Sequence, residues 1–208
     1  MSTTLSFPGI TDKNYGKNIV VLTRSDRNKP ATGFLKNLEP RAIVAVDFDT
    51  VKDDFCKLRD SECHNRQKLK SVDAFFMSTT GRYYFIEFKK ASSECLSSLD
   101  EGEPIDVSFR KKAFDSILMS RFTVVPNVNS QDLMSNATLI VVYKSSASDA
   151  INAIKFDDNL TRRANGNYDS MTYPIKWKLD ELKTCGLYKE VYTWPDNKFE
   201  SWAIENLT

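Results

Sequence analysis

Residues 137–143 read Ala-Thr-Leu-Ile-Val-Val-Tyr, a nearly unbroken apolar run rich in β-branched side chains. A strand with no polar face must be covered on both sides, and helices packed against a sheet do this. The rest of the chain supplies candidates for those helices. Phe48, Val51, Phe55 and Leu58 step by three, four and three, which draws one stripe along a helix, with Asp47 or Asp49 as its N-cap. Phe109, Ala113 and Ile117 do the same within 105–122. Residues 175–184 read as a helix stopped by Gly186, and Pro195-Asp-Asn opens a last helix carrying Phe199, Trp202 and Ala203. Strand character returns in 72–79, 82–89 and 187–194, and more briefly in 17–23. Residues 92–104 and 157–171 are polar and loop-like, with a short helical pattern over 149–156. The expected fold is α/β: a mixed central β-sheet flanked by helices. It forms a single domain over 1–208, with a core at about 47–145 and C-terminal β/α additions at 146–208.

Composition narrows the setting. A chain of 208 residues without repeats or linkers fits one domain. No apolar run approaches the ~20 residues that span a bilayer, so no membrane-integrated form is expected. The first residues lack the basic region and apolar core of a signal peptide, and a cytoplasmic protein is expected. The four cysteines follow no framework spacing and read as free thiols, while a single histidine excludes a His-rich metal centre. Cys56, Cys63 and His64 lack zinc spacing, and no glycine-rich phosphate loop is present. With 29 basic against 28 acidic residues, the net charge of +1 offers nucleic acid no general attraction, so any contact must come from local patches.

Chemistry is best placed on the strand pair 72–79 and 82–89. Alternation on the second strand puts Tyr83, Phe85, Glu87 and Lys89 on one face, and Tyr84, Ile86 and Phe88 on the other. The first strand carries one charged residue, Asp73. Whether Asp73 meets Glu87 depends on the turn. A three-residue loop, Thr79-Thr80-Gly81, pairs Ser78 with Arg82 and so sets Asp73 directly opposite Glu87. A two-residue loop shifts the register by one and sends the two acids to opposite faces. Facing carboxylates repel unless a cation lies between them, and hard oxygen ligands with open positions suit Mg²⁺ or Mn²⁺. A lysine on the same face can serve a polarised water and stabilise developing negative charge.

An acid on one strand, Glu-x-Lys on the next, then a helix and a strand: this arrangement resembles the PD-(D/E)XK, or restriction-endonuclease-like, nuclease superfamily. The resemblance covers about 47–143 and implies a core of order α-β-β-α-β. It implies that Asp73, Glu87 and the main-chain carbonyl of Phe88 hold the divalent metal and that Lys89 is the catalytic lysine. The family's proline before the first acid is absent, Val72 standing there instead. Two further residues follow by analogy. Continuing the stripe of the first helix lands on Glu62 as a possible extra acid and metal ligand, with Asp54 as second choice. Arg110, beside Phe109, is the candidate for contacting the scissile phosphate, whereas Lys111 and Lys112 are expected to face solvent.

Glu/Asp-x-Lys alone carries little, since Glu181-Leu-Lys183 and Asp196-Asn-Lys198 share it in surface-like contexts. The plain alternative for Asp73, Glu87 and Lys89 is a solvent-facing ion pair worth less than ~1 kcal/mol. For Glu62 it is a surface acid beyond a helix ending near Asp60, and for Arg110 a structural arginine with its head in water. Basic pairs at Lys89/Lys90, Arg110–Lys112, Arg162/Arg163 and Lys176/Lys178 would form a phosphate-tracking surface if they converge. The expected function is a divalent-metal-dependent phosphodiester hydrolase acting on nucleic acid, DNA before RNA, and a homodimer would cut both strands of a duplex. The rival is a protein of the same fold that binds nucleic acid or a protein partner without catalysis.

Overall fold

In a computed structural model, the described residues are 3–7, 10–23, 34–60, 69–92, 105–146, 173 and 175–207. A small antiparallel pair, β1 (Thr4–Phe7) and β2 (Ile10–Asn14), precedes the main sheet. That sheet has six strands in the order of the sequence: β3 (Gly16–Asn18), β4 (Val44–Asp47), β5 (Ala74–Met77), β6 (Tyr83–Ser92), β7 (Ala137–Lys144) and β8 (Glu190–Pro195). From β3 to β6 the neighbours are antiparallel, and β6, β7 and β8 run parallel. The mixed α/β architecture expected from the sequence is therefore present.

Alternation along the strands divides the apolar residues between two cores. On one face Val46, Phe75, Tyr83, Phe85, Leu139 and Val141 pack under α2 (Phe48–Asp60) and α3 (Ile105–Ser120). The short α4 (Ser130–Asn136) and α5 (Asp180–Thr184) close the same side through Leu133 and Leu182. On the other face Ala74, Tyr84, Ile86, Phe88, Ile140 and Val142 meet α1 (Ile19–Leu22), a 3₁₀ turn at Lys36–Leu38, and α6 (Asp196–Asn206). Strand β7 lies between β6 and β8, and Leu139 to Tyr143 are all buried, which accounts for its apolar run.

Several local readings change. Ile19-Val-Val-Leu22 is one helical turn rather than a strand: Asn18 ends β3 and its side-chain oxygen accepts the Val20 N–H, an N-cap that redirects the chain. Strand β4 immediately precedes α2 and was not expected from sequence. Within 175–184 only Asp180–Thr184 is helical, because Trp177 (φ +57) and Lys178 (φ +51) adopt left-handed backbone and break the pattern. The expected helix at 149–156, and the loops 93–104 and 157–171, lie outside the described residues.

Candidate functional site

The hairpin turn decides the register. Thr79-Thr80-Gly81 forms a three-residue loop in which the Ser78 N–H donates to the Arg82 carbonyl at 2.9 Å. Gly81, at φ +77, takes the left-handed position that such a loop requires. The ladder pairs Ala74 with Ile86 and Phe75 with Phe85, so the next residue on each strand sets Asp73 across from Glu87. The Phe88 N–H donates to Asp73 Oδ2 at 2.6 Å, holding the first acid against the second strand. Tyr83 and Phe85 fill the core below, and Glu87 continues their face with 2% of its side chain exposed.

The elements around this pair supply more charge. Strand β4 ends opposite Ala74, and the Phe48 N–H donates to the Asp73 carbonyl at 3.2 Å, so the start of α2 lies beside Asp73. Asp47 caps that helix, accepting the Thr50 N–H at 3.1 Å and its hydroxyl at 2.7 Å. Two residues on, Asp49 accepts the Ser71 hydroxyl at 2.5 Å and pairs with Lys52 at 3.2 Å. From α3, Lys112 reaches Glu87 Oε1 at 2.7 Å with 19% of its side chain exposed. Lys89 meets the same oxygen at 3.1 Å. Among the described residues, Glu87 Oε2 is a buried carboxylate oxygen with no hydrogen-bond partner.

Electrostatics follow from this crowding. Burial, and then the Glu87 charge, push the Asp73 carboxyl well above the ordinary carboxylate range. Asp49 adds in that direction, whereas Lys112 and the Phe88 N–H pull against it. For Lys112, burial disfavours the ammonium, but the charges of Glu87, Asp73 and Asp49 outweigh it and hold the lysine protonated above its usual range. An aromatic wall borders the acids: the Lys89 ammonium lies 5.5 Å from the Phe109 ring centre, and Lys176 lies 4.7 Å from that of Tyr143. Trp177 packs on both rings, at 5.2 and 5.7 Å.

The structure brings together Asp73, Glu87 and Lys89 and pairs Arg110 elsewhere. Arg110 pairs with Asp106 at 2.5 Å and with Glu181 at 2.8 Å, on the far edge of the buried arc of α3. Lys112, expected in solvent, points to Glu87 instead. Asp54 accepts Lys13 and, at 3.0 Å, the Tyr15 hydroxyl, so it serves the contact of α2 with the N-terminal strands. Glu62 lies outside the described residues, as do Cys63, His64, Arg162 and Arg163. Ser116 and Ser120 are both fully buried. Counting them with Phe109, Ala113 and Ile117 at about 100° per residue leaves Arg110 and Lys112 on opposite edges of the buried arc at similar distances from its centre, so the pattern alone does not choose between them.

Among the described residues, no three of His, Cys, Asp and Glu converge into a preformed metal cage. The donor set still fits a hard divalent ion bound by two carboxylates with positions left for water, because Glu87 Oε2 is buried and unpartnered among the described residues and Asp73 is disfavoured as an anion by burial and by the Glu87 charge. No protein-family model, curated protein or solved structure matches the chain.

Proposed function

We propose that the chain is a divalent-metal-dependent phosphodiester hydrolase of the PD-(D/E)XK type, with a restriction-endonuclease-like core, acting on nucleic acid in the cytoplasm, DNA before RNA. The observation that carries this reading is a buried glutamate with an oxygen unpartnered among the described residues, set across a strand pair from an aspartate that burial and the glutamate's charge disfavour as an anion. The order helix, strand, strand, helix, strand in α2, β5, β6, α3 and β7 supports it. Asp73, Glu87 and the Phe88 carbonyl would hold Mg²⁺ or Mn²⁺, which when bound polarises a water and a phosphate oxygen. Lys89 keeps 31% of its side chain in solvent at the mouth of the site, where an ammonium can orient the attacking water and stabilise charge on the phosphate. Lys176, against the Tyr143 ring, and Lys52, paired with Asp49 and Asp53, would favour an anionic backbone despite the neutral total. Cutting both strands of a duplex calls for two such sites, hence a homodimer.

A second reading has its own observation. Lys112 already sits on Glu87, as a cation would in a protein that kept the fold and lost the chemistry, and such a protein would bind nucleic acid or a partner without cleaving. Calorimetric titration with Mn²⁺ and Mg²⁺, run beside plasmid and single-strand cleavage assays, separates the two. Under the hydrolase reading the wild type binds metal and cleaves, Asp73→Asn loses at least tenfold in metal affinity, and Lys89→Ala binds metal without cleaving. Absence of metal binding by the wild type and all variants sinks the hydrolase.

A further inference from the structure

We infer that Lys112 is the resident counter-ion of the acidic cluster and that a divalent cation enters only by displacing it. This rests on the metal position proposed above. The cluster is served unevenly: Lys112 at 2.7 Å and Lys89 at 3.1 Å both occupy Glu87 Oε1, while Oε2 of the same buried carboxylate has no partner. Asp73 takes one backbone N–H, from Phe88. An incoming cation is drawn to Oε2 and Asp73, and there it meets the Lys112 ammonium at close range. Lysine and metal answer the same need, neutralising Glu87 and Asp73, so each weakens the other's hold. The two lysines are not equivalent. Lys89 is the more exposed, at 31% against 19%, and rises from β6 itself at the mouth, whereas Lys112 comes down from the covering helix onto the acids. Its flexible four-carbon stem lets the ammonium swing off Glu87 without moving α3. Metal affinity is thereby set by a residue that is not a ligand, and the metal-free chain keeps Glu87 paired.

The test measures Mn²⁺ binding by calorimetry in the full chain, in Lys112→Met and in Lys112→Arg. Removing a unit charge a few ångströms from a divalent ion should tighten binding on the order of tenfold or more in Lys112→Met. Lys112→Arg keeps the charge and the weaker binding. Because Lys112→Met leaves Glu87 with less compensation and can fold poorly without metal, a second measurement uses the wild type. Nitrogen-15 NMR of its lysine ammonium groups, with Lys112 assigned by the signal missing from Lys112→Arg, should show that signal shift or vanish on adding Mg²⁺. Binding that appears only in Lys112→Met upholds the inference and favours the non-catalytic reading of the wild type. Equal affinity in wild type and Lys112→Met, or a Lys112 signal indifferent to saturating Mg²⁺, overturns the inference and leaves the metal site standing. If neither chain takes up metal, both fall.

Discussion

Asp73 sits in an environment that opposes its own charge. Its carboxyl is raised by burial and by Glu87, and a group with a raised folded-state pKa binds more protons folded than unfolded. Its contribution to stability is therefore fully present below the unfolded value, near ~4, and is lost as pH climbs through the folded value. Asp73→Asn keeps an oxygen for the Phe88 N–H and removes the charge. In chelator-treated protein it should raise stability at pH 7 by on the order of 1 kcal/mol and flatten the decline in stability above about pH 4, both read from denaturant melts across pH. A loss of stability in Asp73→Asn would mean that the Lys112 pairing outweighs the repulsion. At this scale the sequence was half legible. The central three residues followed from alternation and one turn, whereas the charged groups around them did not. Asp49 stands beside Asp73 because of β4, and four residues with a weak pattern gave no reason to place a strand there. The stripe of α2 leads toward Glu62, which lies outside the described residues, and carries no signal for Asp49 at the start of the helix.

The hairpin and α3 together hold the geometry, and each rests on one small residue. Gly81 has open space where a Cβ would go, so Gly81→Ala meets no neighbour and is penalised only through its φ of +77. Urea melts should show a loss of about 1–2 kcal/mol with metal affinity unchanged if the loop keeps its length. Ser116 on α3 accepts the Val72 N–H at 3.0 Å, next to Asp73 in sequence and fully buried. Ser116→Ala strands that donor and should cost about 1–3 kcal/mol. It should also weaken metal binding by loosening the strand start, an effect that Gly81→Ala lacks. Elements with strong periodicity were readable in advance: α2, α3, the hairpin, β7, β8 and α6 all fall close to their sequence patterns. Misreadings gathered where one or two backbone angles decide. Asn18 turns a β-branched run into a helical turn, and Trp177 with Lys178 in left-handed backbone cuts a ten-residue helical pattern to Asp180–Thr184.

Across the whole molecule, the sheet separates two cores, and the acids lie on one side of it, at the end of β4, the start of β5 and the middle of β6, between the start of α2 and Lys112 of α3. That position could not be read from one strand pair, since it needs both covering helices and the parallel step from β6 to β7. The same layout carries a kinetic consequence. Asp73 and Glu87 belong to one hairpin and meet by local closure, whereas Lys112 is 25 residues beyond Glu87 and arrives only when α3 docks for the β6–β7 crossover. Local contacts form early and crossovers late, so the two acids are expected to face each other in the folding transition state with Lys89 beside them but before Lys112 is in place. Screening salt should then speed the folding limb of a chevron plot several-fold between about 0.05 and 0.5 M while leaving the unfolding limb nearly flat, as stopped-flow fluorescence of the tryptophans would record. In Asp73→Asn that acceleration should largely disappear. The order in which charges arrive, set by their spacing along the chain, thus becomes a barrier that ionic strength can lower.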